Sequence, residues 1–161
     1  MDAKPWLMLI LFLFICLGAA GLASFLTARG VREWYPSLRK PPGTPRGFVF
    51  GPVWTVLYIL MATSAWLVWR GYGWRGGGSA LVLFFGQLAL NMAWSGIFFG
   101  ARLPGVAFAE ILILWLAILF NIVVFHWLTQ VAALLLVPYL LWVTYASYLN
   151  FGIWWLNRGR A

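Results

Sequence analysis

The sequence predicts an all-α membrane protein: a single domain over residues 1–161, built as a five-transmembrane-helix bundle. Two observations carry this. Hydrophobic residues make up 64% of the chain and charged residues 9%, whereas a soluble domain carries roughly 45–50% and about 25%. That leaves too little polar surface to cover a soluble core, and far too much apolar surface for a disordered chain. The few charges also punctuate the chain, leaving runs that meet or exceed the about 20 apolar residues needed to cross a bilayer. These runs are apolar all round, which favours helices over barrel strands that alternate over about 10 residues.

The elements follow in order. Helix 1, about 6–28, rests on Trp6–Ala28, which has no Asp, Glu, Lys or Arg. Gly21-Leu22-Ala23 loosely resembles a leader-cleavage site, but leader cores run only about 7–15 residues, so the segment reads as a retained helix. Residues 29–47 form the longest polar connection. They carry Pro36, Pro41, Pro42 and Pro45 with Arg29, Arg32, Arg39, Lys40 and Arg46. Pro-rich chain is extended, and this stretch can cover one end of the bundle as a lid. Helix 2 is placed at about 48–69. The Gly-rich run Gly71–Ser79 lacks the Gly-Lys-Ser/Thr ending of a phosphate loop and reads as a flexible connection. Helix 3 follows at about 79–101. The charge-free run Ile111–Asn157 is too long for one crossing, and His126, Thr129 and Gln130 divide it into helix 4, about 104–125, and helix 5, about 130–156.

Five crossings put the termini on opposite faces. Lys4, Arg70 and Arg75 fall on one face. Arg29, Arg32, Arg39, Lys40, Arg46, Arg102, Arg158 and Arg160 fall on the other. The positive-inside rule then puts the C-terminus in the cytoplasm, consistent with a multi-pass protein of a bacterial envelope. Topology and anionic lipid headgroups account for the net charge of +8, and nucleic acid is not needed as a partner. The single Cys16 forms no internal disulfide and suits a packing position in helix 1. His126 has no Cys or acid near it in sequence and reads as an interfacial side chain, with no metal site.

At 1.5 Å rise per residue, Trp54, Trp94 and Glu110 lie about 9–11 Å below the basic face, Tyr58, Asn91 and Ala146 about 15 Å, and Trp142 about 20 Å. Polar groups at such depths point into the bundle. Tyr139, Trp142, Ala146 and Asn150 share one helical stripe; Trp54, Tyr58, Met61 and Ala65 share another; Gln87, Asn91 and Trp94 share a third. Glu110 is equally compatible with a proton relay and with a protonated structural acid. The opposite side of helix 3 carries Gly86, Ala89, Ala93, Gly96 and Gly100. Small residues let helices approach closely in lipid, either within one chain or between two copies.

These residues resemble the TspO family of tryptophan-rich sensory proteins, whose mitochondrial members are the translocator protein or peripheral benzodiazepine receptor. The resemblance rests on Trp34-Tyr35-x-x-Leu38-x-Lys40-Pro41, Pro52-Val53-Trp54-Thr55-x-Leu57-Tyr58, Gln87-Leu88-x-Leu90-Asn91-x-x-Trp94, and Pro138-Tyr139-Leu140-x-Trp142 with Leu149-Asn150. It implies a five-helix bundle, often a homodimer, that binds porphyrins and hydrophobic drug-like ligands beneath the 29–47 connection, and sterols in mitochondrial members. Carried over, Trp54, Tyr58, Asn91, Trp94, Trp142 and Ala146 are pocket residues and Tyr35 and Pro45 parts of the lid; Leu38, within the first of these motifs, joins the ligand-binding set, as does Glu110 by its depth. Gly43 and Arg46 stand where the family's loop commonly has Trp and Pro, and the C-terminal sterol motif is absent, with Phe151 at its aromatic position.

The expected function is a membrane receptor or sensor for tetrapyrroles. No cofactor is obligatory; porphyrin or haem enters as ligand, with stacking on Trp and carboxylates met by Arg39, Lys40 and Arg46. The alternatives are a transporter of tetrapyrroles or sterol-like ligands, for which Glu110 is the one deep charge, and a porphyrin-degrading enzyme, for which the sequence offers no nucleophile–base pair.

Overall fold

The computed structural model describes residues 4–159. Among them every regular element is helical. The long helices are α1 (Pro5–Arg29), α2 (Gly47–Ser95), α3 (Pro104–Leu128) and α4 (Gln130–Asn157). Four helices are therefore long and apolar enough to cross a membrane, not the five expected from the charge pattern. The difference arises at Gly71–Ser79, expected as a flexible connection. The helix runs through it, and only Gly73 departs, at φ 61° and ψ −169°. That conformation is open essentially to glycine alone.

One residue suffices to reverse the chain. A straight helix would put Tyr58 and Asn91 about 50 Å apart, yet the Tyr58 hydroxyl donates to Asn91 Oδ1 at 3.3 Å. The first arm of α2 (47–72) and its second arm (74–95) thus lie side by side. Tyr72, just before the reversal, donates to the carbonyl of Leu128, which pins this corner to the end of α3.

The 29–47 connection is also more helical than expected. Gly30–Trp34 continue α1 as a π-helical turn and Tyr35–Ser37 add a 3₁₀ turn, so only 38–46 is irregular. A second π-helical turn, Gly96–Gly100, ends the second arm of α2.

Cross-helix hydrogen bonds set the register. Ser64 Oγ donates to the carbonyl of Ala132 at 2.6 Å, Trp66 Nε1 to that of Pro5 at 2.8 Å, Trp115 Nε1 to Thr144 Oγ1 at 2.7 Å, and Asn150 Nδ2 to the carbonyl of Pro104 at 2.7 Å. Between the helices Phe12, Met61, Phe84, Ile118, Leu136 and Tyr139 are almost wholly buried. The outward faces remain apolar; Phe25 is 80% exposed and Val82 70%. A monomeric soluble protein does not present such contiguous apolar surface, but helix faces meeting lipid tails must.

Candidate functional site

A cavity of about 910 Å³ opens beneath the 29–47 connection. Trp54 and Tyr58 reach it from the first arm of α2, Asn91 and Trp94 from the second, and Trp142 and Ala146 from α4; Tyr35 and Pro45 line its upper end. These positions come from four separate stretches of chain, and the reversal at Gly73 is what brings the Trp54 and Trp94 stripes together.

Three polar links hold the aromatic wall. Asn91, 1% exposed, accepts from the Tyr58 hydroxyl at 3.3 Å and donates from Nδ2 to the Tyr139 oxygen at 2.6 Å. Trp94 Nε1 donates to Asn150 Oδ1 at 2.9 Å, and Asn150 passes the link to the backbone of Pro104. A buried amide left unpaired in hydrocarbon costs several kcal/mol, so each Asn fixes the aromatic ring it serves. The Trp54 ring meets Tyr58, Tyr139 and Trp142 with centroids 5.7–6.4 Å apart. Trp94 stacks on Phe98 at 5.4 Å. The Trp142 indole N–H has no partner in the protein.

The lid is tied to α4. Tyr145 donates to the carbonyl of Gly43, Tyr148 to that of Pro42 at 3.1 Å, and the Asn157 amide both accepts from the Arg39 N–H at 3.1 Å and donates to its carbonyl at 2.9 Å. Pro41 lies directly on Gly152, where a Cβ would fall 2.6 Å from its Cγ. Lys40 lines the cavity, stacks 4.6 Å over the Tyr35 ring and donates to the carbonyls of Pro36 and Leu38. Burial holds its ammonium below the ordinary lysine pKa.

Several expected residues fall elsewhere. Glu110 does not line the cavity; its two carboxylate oxygens are buried without a hydrogen-bond partner on α3. Depth alone had grouped it with the aromatic residues, but depth says nothing of helix rotation. Leu38 faces a second, smaller hollow. Gln87, expected on the same wall as Asn91 and Trp94, is buried away from the cavity and unpaired. Arg39 is held through its backbone by Asn157 and Arg46 is exposed; neither lines the cavity, whereas Arg32 does. His126 is exposed and Cys16 fully buried. No His or Cys lines the cavity among the described residues.

The sequence reading missed the wall supplied by α1. Ala20, Gly21, Ser24, Thr27 and Ala28 line the cavity. The one available signal was the cluster of small residues late in an otherwise bulky helix. On the second arm of α2 and the π-helical turn that follows it, Gly86, Ala89, Ala93, Gly96 and Gly100 are all exposed. A Cβ built on Gly86, Gly96 or Gly100 meets nothing within 4 Å. The stripe therefore does not serve packing within the chain.

Comparison with known proteins agrees with this architecture. The model of the TspO/MBR family matches residues 10–156. The tryptophan-rich protein TspO of Chlorobaculum tepidum is 40% identical over 156 residues, covering 96% of this chain and 98% of its own. The human translocator protein is 39% identical over 160 residues, covering 98% and 94%. The tryptophan-rich sensory protein of Cereibacter sphaeroides is 36% identical over 155 residues, covering 96% and 94%. A match that runs from the first half of α1 to the last turn of α4, together with the membrane-length apolar helices, makes this chain a membrane protein of the TspO/MBR family.

Proposed function

We propose that the protein is a receptor or sensor that takes tetrapyrroles and hydrophobic drug-like ligands into the aromatic cavity. The observation that carries the reading is the cavity itself: about 910 Å³, within the about 300–1,000 Å³ typical of small-molecule sites, walled by three tryptophans from three stretches of chain. A flat macrocycle gains offset-stacked or edge contacts with such rings, about 0.5–1.5 kcal/mol each beyond area burial. Lys40 and Arg32 at the rim suit its carboxylates. The names of the relatives, sensory protein and translocator protein, fit a ligand-taking role. The test is tryptophan-fluorescence titration with a porphyrin panel, wild type against Trp142→Ala. Loss of about 2–4 kcal/mol is expected for removing a large buried aromatic. Equal affinity in the two proteins overturns the reading.

We further read each arm of α2 as a separate crossing. With α1, α3 and α4 this makes five, with the C-terminus on the cytoplasmic side of a bacterial envelope by the positive-inside rule. The exposed small-residue stripe of α2 suits a homodimer. A transport reading draws on Glu110, an intramembrane acid whose oxygens lack a partner; flux of porphyrin into proteoliposomes, lost in Glu110→Gln, distinguishes it.

A further inference from the structure

A second hollow of about 660 Å³ lies at the same end of the bundle, outside the aromatic cavity. Its walls come from the turn after α1, the start of α3 and the end of α4. Two guanidinium groups line it, Arg102 and Arg158. Neither has a carboxylate within bridging distance among the described residues: the ion pair there is Arg29 with Glu33, at 3.0 Å, and the Glu110 oxygens are buried on their own. Two cations facing one cavity without a counter-ion repel each other, and an anion between them relieves that repulsion.

The surroundings narrow the anion. The Arg158 guanidinium lies 3.3 Å over the Trp155 ring. A stacked guanidinium keeps its N–H donors free at its edge, in the fork that matches phosphate oxygens. Arg102 has φ 60°, a left-handed conformation in a residue other than glycine, which persists where the surrounding structure enforces it. Trp154 forms the inner wall and closes on Gly105, where a Cβ would fall 2.7 Å from its Nε1. Below the arginines the wall is apolar and open: Leu103 is 50% and Val106 55% exposed, at the head of the outward face of α3. The hollow is thus cationic at its rim and greasy beneath. A soluble anion uses only the first property. A phospholipid uses both.

We propose that this hollow is a binding site for one anionic phospholipid, its phosphodiester between Arg102 and Arg158 and an acyl chain along Leu103 and Val106. It is separate from the aromatic cavity and does not depend on what that cavity binds. The test is native mass spectrometry of the full chain in neutral detergent, titrated with equal amounts of dioleoylphosphatidylglycerol and dioleoylphosphatidylcholine. A single retained phosphatidylglycerol is expected, favoured about tenfold. Two variants should each abolish the preference while keeping the helical circular dichroism: Arg102→Gln with Arg158→Gln, which removes the charges, and Val106→Trp, which fills the hollow and leaves every charge in place. Millimolar inorganic phosphate should not displace the lipid. Equal retention of both lipids by the wild type overturns the proposal. So does a preference that survives in either variant, since the general basic face then holds the lipid. Displacement by inorganic phosphate overturns it in favour of a soluble anion.

Discussion

Gly152→Ala should loosen the lid without harming the bundle. The added Cβ would fall 2.6 Å from Pro41 Cγ and 2.7 Å from its Cβ, whereas carbon atoms rest about 3.5–4.0 Å apart. Gly152 lies within α4, so the lid is the partner that yields, by about 1 Å. The tethers beside Pro41 are already ordinary in length: Tyr148 to Pro42 at 3.1 Å and the Arg39 N–H to Asn157 at 3.1 Å. A retreat of that size carries both beyond hydrogen-bond range. Each is worth about 1 kcal/mol net. Opening the lid then becomes easier by about 2 kcal/mol, roughly thirtyfold in population. Hydrogen–deuterium exchange of peptides covering 37–47, read by mass spectrometry, should show faster exchange by that order at Arg39. Global thermal stability should fall by no more than about 1 kcal/mol, because alanine exceeds glycine by about 1 kcal/mol within a helix and offsets half of the lost tethers. Gly18→Ala, whose Cβ meets nothing within 4 Å, should leave the lid silent. Unchanged lid exchange in Gly152→Ala would show that Pro41 does not bear on α4, and would refute the strapped-lid geometry.

Other outcomes follow from the cavity and the stripe. Removing Arg32 and Lys40 together, as Arg32→Gln with Lys40→Gln, should weaken a dicarboxylate porphyrin at low salt by about tenfold and spare its dimethyl ester, since rim charges are screened at high ionic strength; equal loss of the ester means that they shape the rim sterically. Metal-free protoporphyrin and haem should bind within about tenfold of each other, because no His or Cys lines the cavity among the described residues; an axial-ligand shift in the haem spectrum that disappears in His126→Ala contradicts this. Gly96→Leu should convert a dimer to a monomer by mass measurement in detergent, and an unchanged oligomer removes the stripe as the contact. Gly73→Ala should cost about 1–3 kcal/mol by thermal unfolding, since no L side chain rests easily at that φ and ψ; an unshifted melting temperature refutes the single-residue reversal.

What the sequence made legible was whatever periodicity and charge record. The apolar runs gave α1, α3 and α4 within a few residues, and the stripes of Trp54, Asn91 and Trp142 gave three walls of the cavity. Helix rotation is recorded only where polar residues mark a face. Asn91 and Trp94 had such marks and line the cavity, whereas Gln87, on the same stripe, is buried away from it. Glu110 was assigned by depth alone and lies outside the cavity lining. The α1 wall escaped because a helix that is apolar all round shows no preferred face, and small residues bordering empty space look like small residues packed against a neighbour. The reversal at Gly73 escaped for another reason. A Gly-rich run suggests a loop, but one glycine in a conformation closed to other residues can turn the chain while the rest stay helical.

That economy at Gly73 has a mechanical consequence. Two arms joined by a single residue cannot slide along one another, because no slack exists to absorb an axial shift. The Trp54 and Trp94 sides of the cavity therefore behave as one rigid jaw, locked further by the bond between Tyr58 and Asn91. The rest of the lining comes from Trp142 and Ala146 of α4, from the small residues of α1, and from an irregular strap held through a few tyrosine and asparagine contacts. For the ligands proposed above, adjustment to size would then fall on the α1 and strap sides, while Trp54 and Trp94 keep their spacing.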